Sequence, residues 1–147
     1  MSKKKRSLVE EVFDKCLKSS EKFIYEPVES IVYYKTSYLP DWRFDSTLGS
    51  VVVEVKEWLP PHEMKRIKDV ASHYAKLGVL FVVAVYFRDK KAPIDPQALL
   101  PTWPTQGRME RERLCSWLDH HNIKFICFDR TTVVEPLLSE LASKYYA

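Results

Sequence analysis

Apolar residues at Leu8, Val9, Val12, Phe13, Cys16 and Leu17 recur at three- and four-residue intervals, with Ser7 ahead of them and Glu10 and Glu11 in the first turn. That period predicts a helix over 8–18, capped by the Ser7 side chain. The pattern then changes to β-branched and aromatic runs at 23–25 and 31–38, read as strands with Pro27 between them. Segments 39–44 and 51–58 follow, separated by Asp45, Ser46, Gly49 and Ser50, and predict a hairpin. Pro60-Pro61 stops the second strand and opens a helix. In it Met64, Ile67, Val70, Ala71, Tyr74 and Ala75 oppose Lys65, Arg66, Asp69, His73 and Lys76, and Gly78 sits at the C-terminal stop. Residues 79–87 are apolar throughout, as a strand covered on both faces requires. Strand, helix and buried strand make a βαβ unit. The segment 88–107 carries Pro93, Pro96, Pro101 and Pro104 and predicts a long functional or mobile loop. A helix over 109–121, a strand over 123–128 and a helix over 133–145 close the chain. The expected class is α/β, a mixed central sheet flanked by helices.

Composition narrows the setting. With 147 residues, 46% hydrophobic and 13% aromatic, the chain is expected to form one domain, 1–147, around one substantial core. It has no run of about eighteen uncharged apolar residues, and its opening MSKKKRSLVEE is charged where a signal peptide would be apolar. The expectation is a soluble, cytoplasmic protein with no membrane partner. Cysteines 16, 115 and 127 are few and odd in number, which predicts reduced thiols rather than a disulfide framework. The net charge of +3 permits a polyanionic partner without requiring one. The basic tail 1–6 holds the run Lys3-Lys4-Lys5-Arg6, which either touches phosphates or stays solvated.

The hairpin carries the candidate chemistry. With the turn centred between Thr47 and Leu48, Phe44 faces Val51, Arg43 faces Val52 and Asp41 faces Glu54. Two carboxylates so opposed, roughly 5 Å apart, repel by about 3 kcal/mol at an effective dielectric near 20. Alternation puts Asp41, Arg43, Val52, Glu54 and Lys56 on one face and Trp42, Phe44, Val51, Val53 and Val55 on the other. The first face is read as charged and the second as apolar. A carboxylate pair suits a hard cation such as Mg2+ or Mn2+, and the Val55 carbonyl offers a third oxygen. Lys56 would orient a water, assist its deprotonation or stabilise charge on phosphorus. The alternative is an exposed polar face of cross-strand ion pairs, each contributing about 0–1 kcal/mol.

Pro40-Asp41, followed by Glu54-Val55-Lys56 at the end of a valine-rich strand, resembles the signature of the PD-(D/E)xK nuclease superfamily. The predicted element order is similar to that superfamily's αβββαβ core. Within it, Ser7 to Leu17, segments 38–44 and 53–58, and the stretch 115–128 resemble the phage-type endonuclease I family, the Holliday-junction resolving enzymes. The similarity spans most of the chain and is gapped between 76 and 107. It implies a metal-dependent DNA endonuclease acting on branched duplex as a homodimer. Asp41, Glu54 and Lys56 would be catalytic, joined by Glu10 of the first helix, and Asp41, Glu54, Val55 and Glu10 would be metal ligands. Family members exchange the first helix across the dimer, so Glu10 would serve the partner's site. On a helical wheel Glu10 lies about 110° from the centre of the apolar face and Glu11 and Asp14 about 150°, making Glu10 the acid nearest the core boundary. The chain departs from the family at Glu57, which replaces a glycine, in a longer loop after Phe87, and in lacking a heavily basic C-terminal tail. These departures bear on substrate choice. A sequence-directed or transposon-end nuclease and an inactive DNA-binding module are the alternatives.

Arg43, Lys65 and Arg66 are the candidate DNA contacts, with Lys68 and Lys76 extending the basic side of their helix. Cys115, His120, His121 and Cys127 have zinc-ligand residue types but no recognised zinc spacing, and read as packing thiols and solvated histidines. Trp103, Tyr145 and Tyr146 either stack on bases or anchor their segments.

Overall fold

Ser7 caps the first helix as its pattern predicts, its side chain accepting the Glu10 amide at 3.2 Å. In chain order the elements begin α1 (Leu8–Cys16), β1 (Phe23–Tyr25), β2 (Ile31–Tyr33), β3 (Thr36–Tyr38), β4 (Trp42–Asp45), β5 (Ser50–Lys56) and β6 (Trp58–Leu59). They continue α2 (Pro61–Lys76), β7 (Leu80–Tyr86), β8 (Met109–Glu110), α3 (Arg111–His120), β9 (Lys124–Phe128) and α4 (Glu135–Tyr145). This computed structural model describes residues 7–18, 22–25, 31–33, 36–38, 40–88, 91–93 and 109–147. The basic tail 1–6, Trp103 and most of the proline-rich segment 88–107 lie outside the described residues.

The class is α/β: a mixed five-stranded sheet in the order β1-β4-β5-β7-β9, flanked by helices on both faces. The pairs β1–β4 and β4–β5 are antiparallel, whereas β5–β7 and β7–β9 are parallel and are joined through α2 and α3. Each parallel crossover spends a helix covering the sheet, which is why β7 is buried along its whole length. One core joins Trp42, Phe44, Val51, Val53, Val55, Ala84 and Phe128 to α1 and α4. The other joins Val52, Phe81, Val83, Val85 and Cys127 to α2 and α3. Phe13 sets the seat of α1, its ring 4.9 Å from that of Trp42 and 5.3 Å from that of Phe128. Glu10, one turn earlier on nearly the same side, is thereby brought beside β1. Gly78 takes a φ of +72° just past α2, a conformation glycine adopts without strain.

The hairpin register falls where the turn predicts it, with Arg43 opposite Val52 and Phe44 opposite Val51. Several boundaries differ. The stretch read as one strand over 31–38 contains two short strands, β2 and β3, paired with each other in a separate ribbon. The strand expected over 51–58 ends at Lys56, and Trp58–Leu59 pairs instead with Met109–Glu110, so α3 begins only at Arg111. The largest difference concerns the face read as charged, and with it the alternative of an exposed polar face. Val52 is 5% exposed and Glu54 is 5% exposed, because α2 packs over that side. A crossover helix covers whatever face of the strand it returns across, and the hairpin alone carries no mark of it.

Candidate active site

The β4–β5 ladder has its last pair at Trp42 and Val53. Asp41 stands one residue before β4, and its Oδ2 accepts the Val55 amide proton at 2.8 Å, doing for that N–H what a further strand residue would have done. A strand residue presents its N–H and C=O to the same side, so the Val55 carbonyl faces the same edge. At the next residue, the Lys56 ammonium lies 3.5 Å from Glu54 Oε2 and 2.7 Å from Glu63 Oε1. Glu63 belongs to the first turn of α2. The strand end, the residue before β4 and the start of α2 thus meet at one place.

Electrostatics separates these groups. Burial, then the charge of Glu54, pushes the Asp41 carboxyl up to about 8, with Glu10 adding to the rise and the Val55 amide and Lys56 opposing it. Burial works against the charge of Lys56, yet the carboxylates of Glu54 and Glu63 outweigh it and hold the ammonium above the ordinary lysine value. Burial would also raise Glu63, but its hydrogen bond and charge interaction with Lys56 prevail and lower it. Lys56 is therefore a permanent donor near neutrality.

Glu10 is the partly buried acid of α1, whereas Glu11 and Asp14 are exposed, as the helical wheel predicts. Its Oε1 accepts the Tyr25 hydroxyl at 2.7 Å, and the Tyr25 ring packs 4.7 Å from that of Trp42. Glu10 and Asp41 interact electrostatically within one chain.

The candidate DNA contacts are each engaged by acids. Arg43 bonds Asp45 at 3.1 Å, Lys65 pairs with Asp69 at 3.2 Å, and Arg66 comes within 3.9 Å of Glu63. Tyr146 anchors its segment, donating to the Ser50 carbonyl at 2.5 Å and accepting from the Leu80 amide at 3.1 Å. Cys115 and Cys127 are buried with their sulfurs 3.6 Å apart, and the His121 ring packs 4.7 Å from that of Trp117.

Sequence reasoning missed Tyr25 and Glu63. Nothing local distinguishes Tyr25 from the other strand aromatics. The signal at Glu63 was an acid in a helix first turn, which is ordinarily explained by the helix dipole. Its contact with Lys56 depends on the path through Trp58–Leu59 and Pro60-Pro61, which spacing does not specify.

Among the described residues, no three His, Cys, Asp or Glu side chains gather as a metal-holding group. Asp41 and Glu54 interact electrostatically, and Asp41 is bonded to the Val55 amide, so two carboxylates and the Val55 carbonyl are the groups that would be offered to a cation. Such groups would suit a magnesium ion, which takes one or two protein carboxylates and retains several waters. Among the described residues, no helix is long and apolar enough to cross a membrane. No protein-family model matches the chain, and no curated protein matches its sequence.

Proposed function

We propose that this chain is a metal-dependent DNA endonuclease of the PD-(D/E)xK type, selective for branched duplex. The observation that carries the reading is the meeting of Asp41, Glu54 and Lys56 at the C-terminal end of β5. There a buried carboxyl is driven up to about 8 by its surroundings and by a second carboxylate. Such a pair is held apart from its ordinary ionisation and is stabilised by a cation placed between its members. Asp41 and Glu54 would hold Mg2+ or Mn2+ with the Val55 carbonyl, and the ion would supply Lewis-acid stabilisation of phosphoryl charge and a more acidic water.

The protein's own groups divide the remaining work. Lys56, held by Glu63 at 2.7 Å, donates to a phosphoryl oxygen as negative charge develops there. The Val55 amide fixes the Asp41 carboxylate so that it faces the strand end without reorganisation. Glu10, held by Tyr25, supplies a further negative charge on the α1 side. Arg43, Lys65 and Arg66 are the proposed phosphate contacts, exchanging their present carboxylate partners for DNA. The partner is DNA, and the active form is a homodimer in the cytoplasm.

The test incubates labelled four-way junction, linear duplex and single strand with Mg2+, with Mn2+ and with chelator. Metal-dependent cleavage of the junction in preference to the linear forms is expected. No cleavage of any of them removes the enzyme. Cleavage of duplex at one sequence, without preference for branches, replaces branch selectivity with sequence-directed cutting.

A further inference from the structure

We propose that Glu63 is a positioning residue that tethers the Lys56 ammonium when Glu54 is occupied by a cation, an inference that rests on the nuclease reading of this site. Of the two carboxylates on Lys56, Glu63 is the closer, at 2.7 Å against 3.5 Å for Glu54. The difference matters because Glu54 is a proposed metal ligand. A divalent ion on Glu54 withdraws that carboxylate's charge from Lys56 and repels the ammonium at the same time. A lysine on a four-carbon stem at a strand end, with no other hold, would spread over many rotamers.

Glu63 is built to keep its position through that exchange. Its amide bonds the Pro60 carbonyl at 3.0 Å, Pro60-Pro61 sets the start of α2, and Ile67, one turn on, is 1% exposed in the core. A carboxylate in a helix first turn is further favoured by the helix dipole. Its other basic neighbours, Arg66 and His62, stand farther off at 3.9 Å. The acid next to Lys56 in sequence, Glu57, is taken by Arg88 through two bonds of 2.5 and 2.6 Å. Among the described residues, with Asp41 and Glu54 given to the cation, Glu63 is thus the acid in contact with Lys56 that stays to hold it.

The experiment compares wild type, Glu63→Ala and Glu63→Gln in Mg2+. One measurement is the acylation rate of each lysine by an amine-reactive anhydride, mapped by peptide mass spectrometry. The other is steady-state and single-turnover cleavage of whichever DNA the wild type cuts. Lys56 acylation is expected to rise several-fold in Glu63→Ala while the other lysines hold their wild-type rates. The kcat should fall about tenfold or more at unchanged KM. Glu63→Gln, whose amide oxygen still accepts from Lys56, recovers part of both. Unchanged Lys56 acylation in Glu63→Ala, wild-type kcat, or a loss confined to KM overturns the tether. Failure of the wild type to cut any DNA overturns the nuclease reading instead, and the acylation rates still decide whether Glu63 holds Lys56.

Discussion

The carboxylate of Asp41 accepts the amide proton of Val55 at 2.8 Å, closing the β4–β5 ladder with a side chain in place of a backbone. One atom group thus serves the fold and the proposed chemistry together, and the first prediction separates the two.

Asp41→Asn should abolish metal-dependent cleavage while raising stability. With the native carboxyl at about 8 and an unfolded value near 4, the folded protein keeps a proton over that window that the unfolded chain has lost. Stability therefore declines as pH rises from about 4 to about 8. Asparagine keeps an acceptor for Val55 and does not titrate. Thermal melts should show the variant about 5 kcal/mol more stable at pH 8, at about 1.36 kcal/mol per unit between the two carboxyl values, and level with wild type below pH 4. A variant less stable at pH 8 contradicts the buried proton.

Lys56→Ala should retain DNA binding and cut at least about a hundredfold more slowly, since it removes a donor aimed at developing charge. Filter binding and single-turnover cleavage measure the two quantities separately. Activity within a few-fold of wild type places the chemistry elsewhere.

Asp129 predicts an opposite pH response. Its burial would raise the carboxyl, but hydrogen bonds from the Thr131 hydroxyl, the Ala92 and Thr131 amides and the Thr132 hydroxyl outweigh that and lower it. A lowered carboxyl contributes stability above its unfolded value near 4 and loses it as pH falls through the folded value. Asp129→Ala should cost about 1–3 kcal/mol at pH 7, with the deficit shrinking in acid. A deficit equal at pH 7 and pH 3 would falsify the ionic part of this account.

Gly49 lies against the Tyr146 ring. A Cβ there would sit 2.6 Å from Tyr146 Cζ, and the ring is pinned through its hydroxyl to Ser50 and Leu80. Gly49→Ala should destabilise by about 1–3 kcal/mol as overpacking does. The same change in a Tyr146→Ala background should cost much less, and denaturant melts of the four proteins form the cycle that shows it.

Cys115 and Cys127 should resist alkylation in the native protein. Contact with the Cys127 thiol, then burial, raises Cys115 well above an ordinary thiol and suppresses its thiolate. Maleimide labelling should reach both only on unfolding. Rapid native labelling of either means that α3 opens from β9.

Much of this protein is written locally. Periodicity marked α1 with its Ser7 cap, the amphipathic face of α2 and the continuous apolar run of β7, because each follows from which side of one element meets the core. The turn at Ser46 to Gly49 set the β4–β5 register, and that register placed Asp41 at the level of Glu54. What tertiary structure decided is what lies over those residues. A strand does not record which of its faces a later helix will cover, so the burial of Glu54 under α2 had no local signal, and neither did the burial of Asp41 that raises its own carboxyl. Glu63 reached Lys56 only because β6 turned away to pair with β8, and Tyr25 reached Glu10 only because Phe13 seated α1 against Trp42. Sequence spacing supplied the chemical groups. Packing between distant segments set their distances, their burial and their charge.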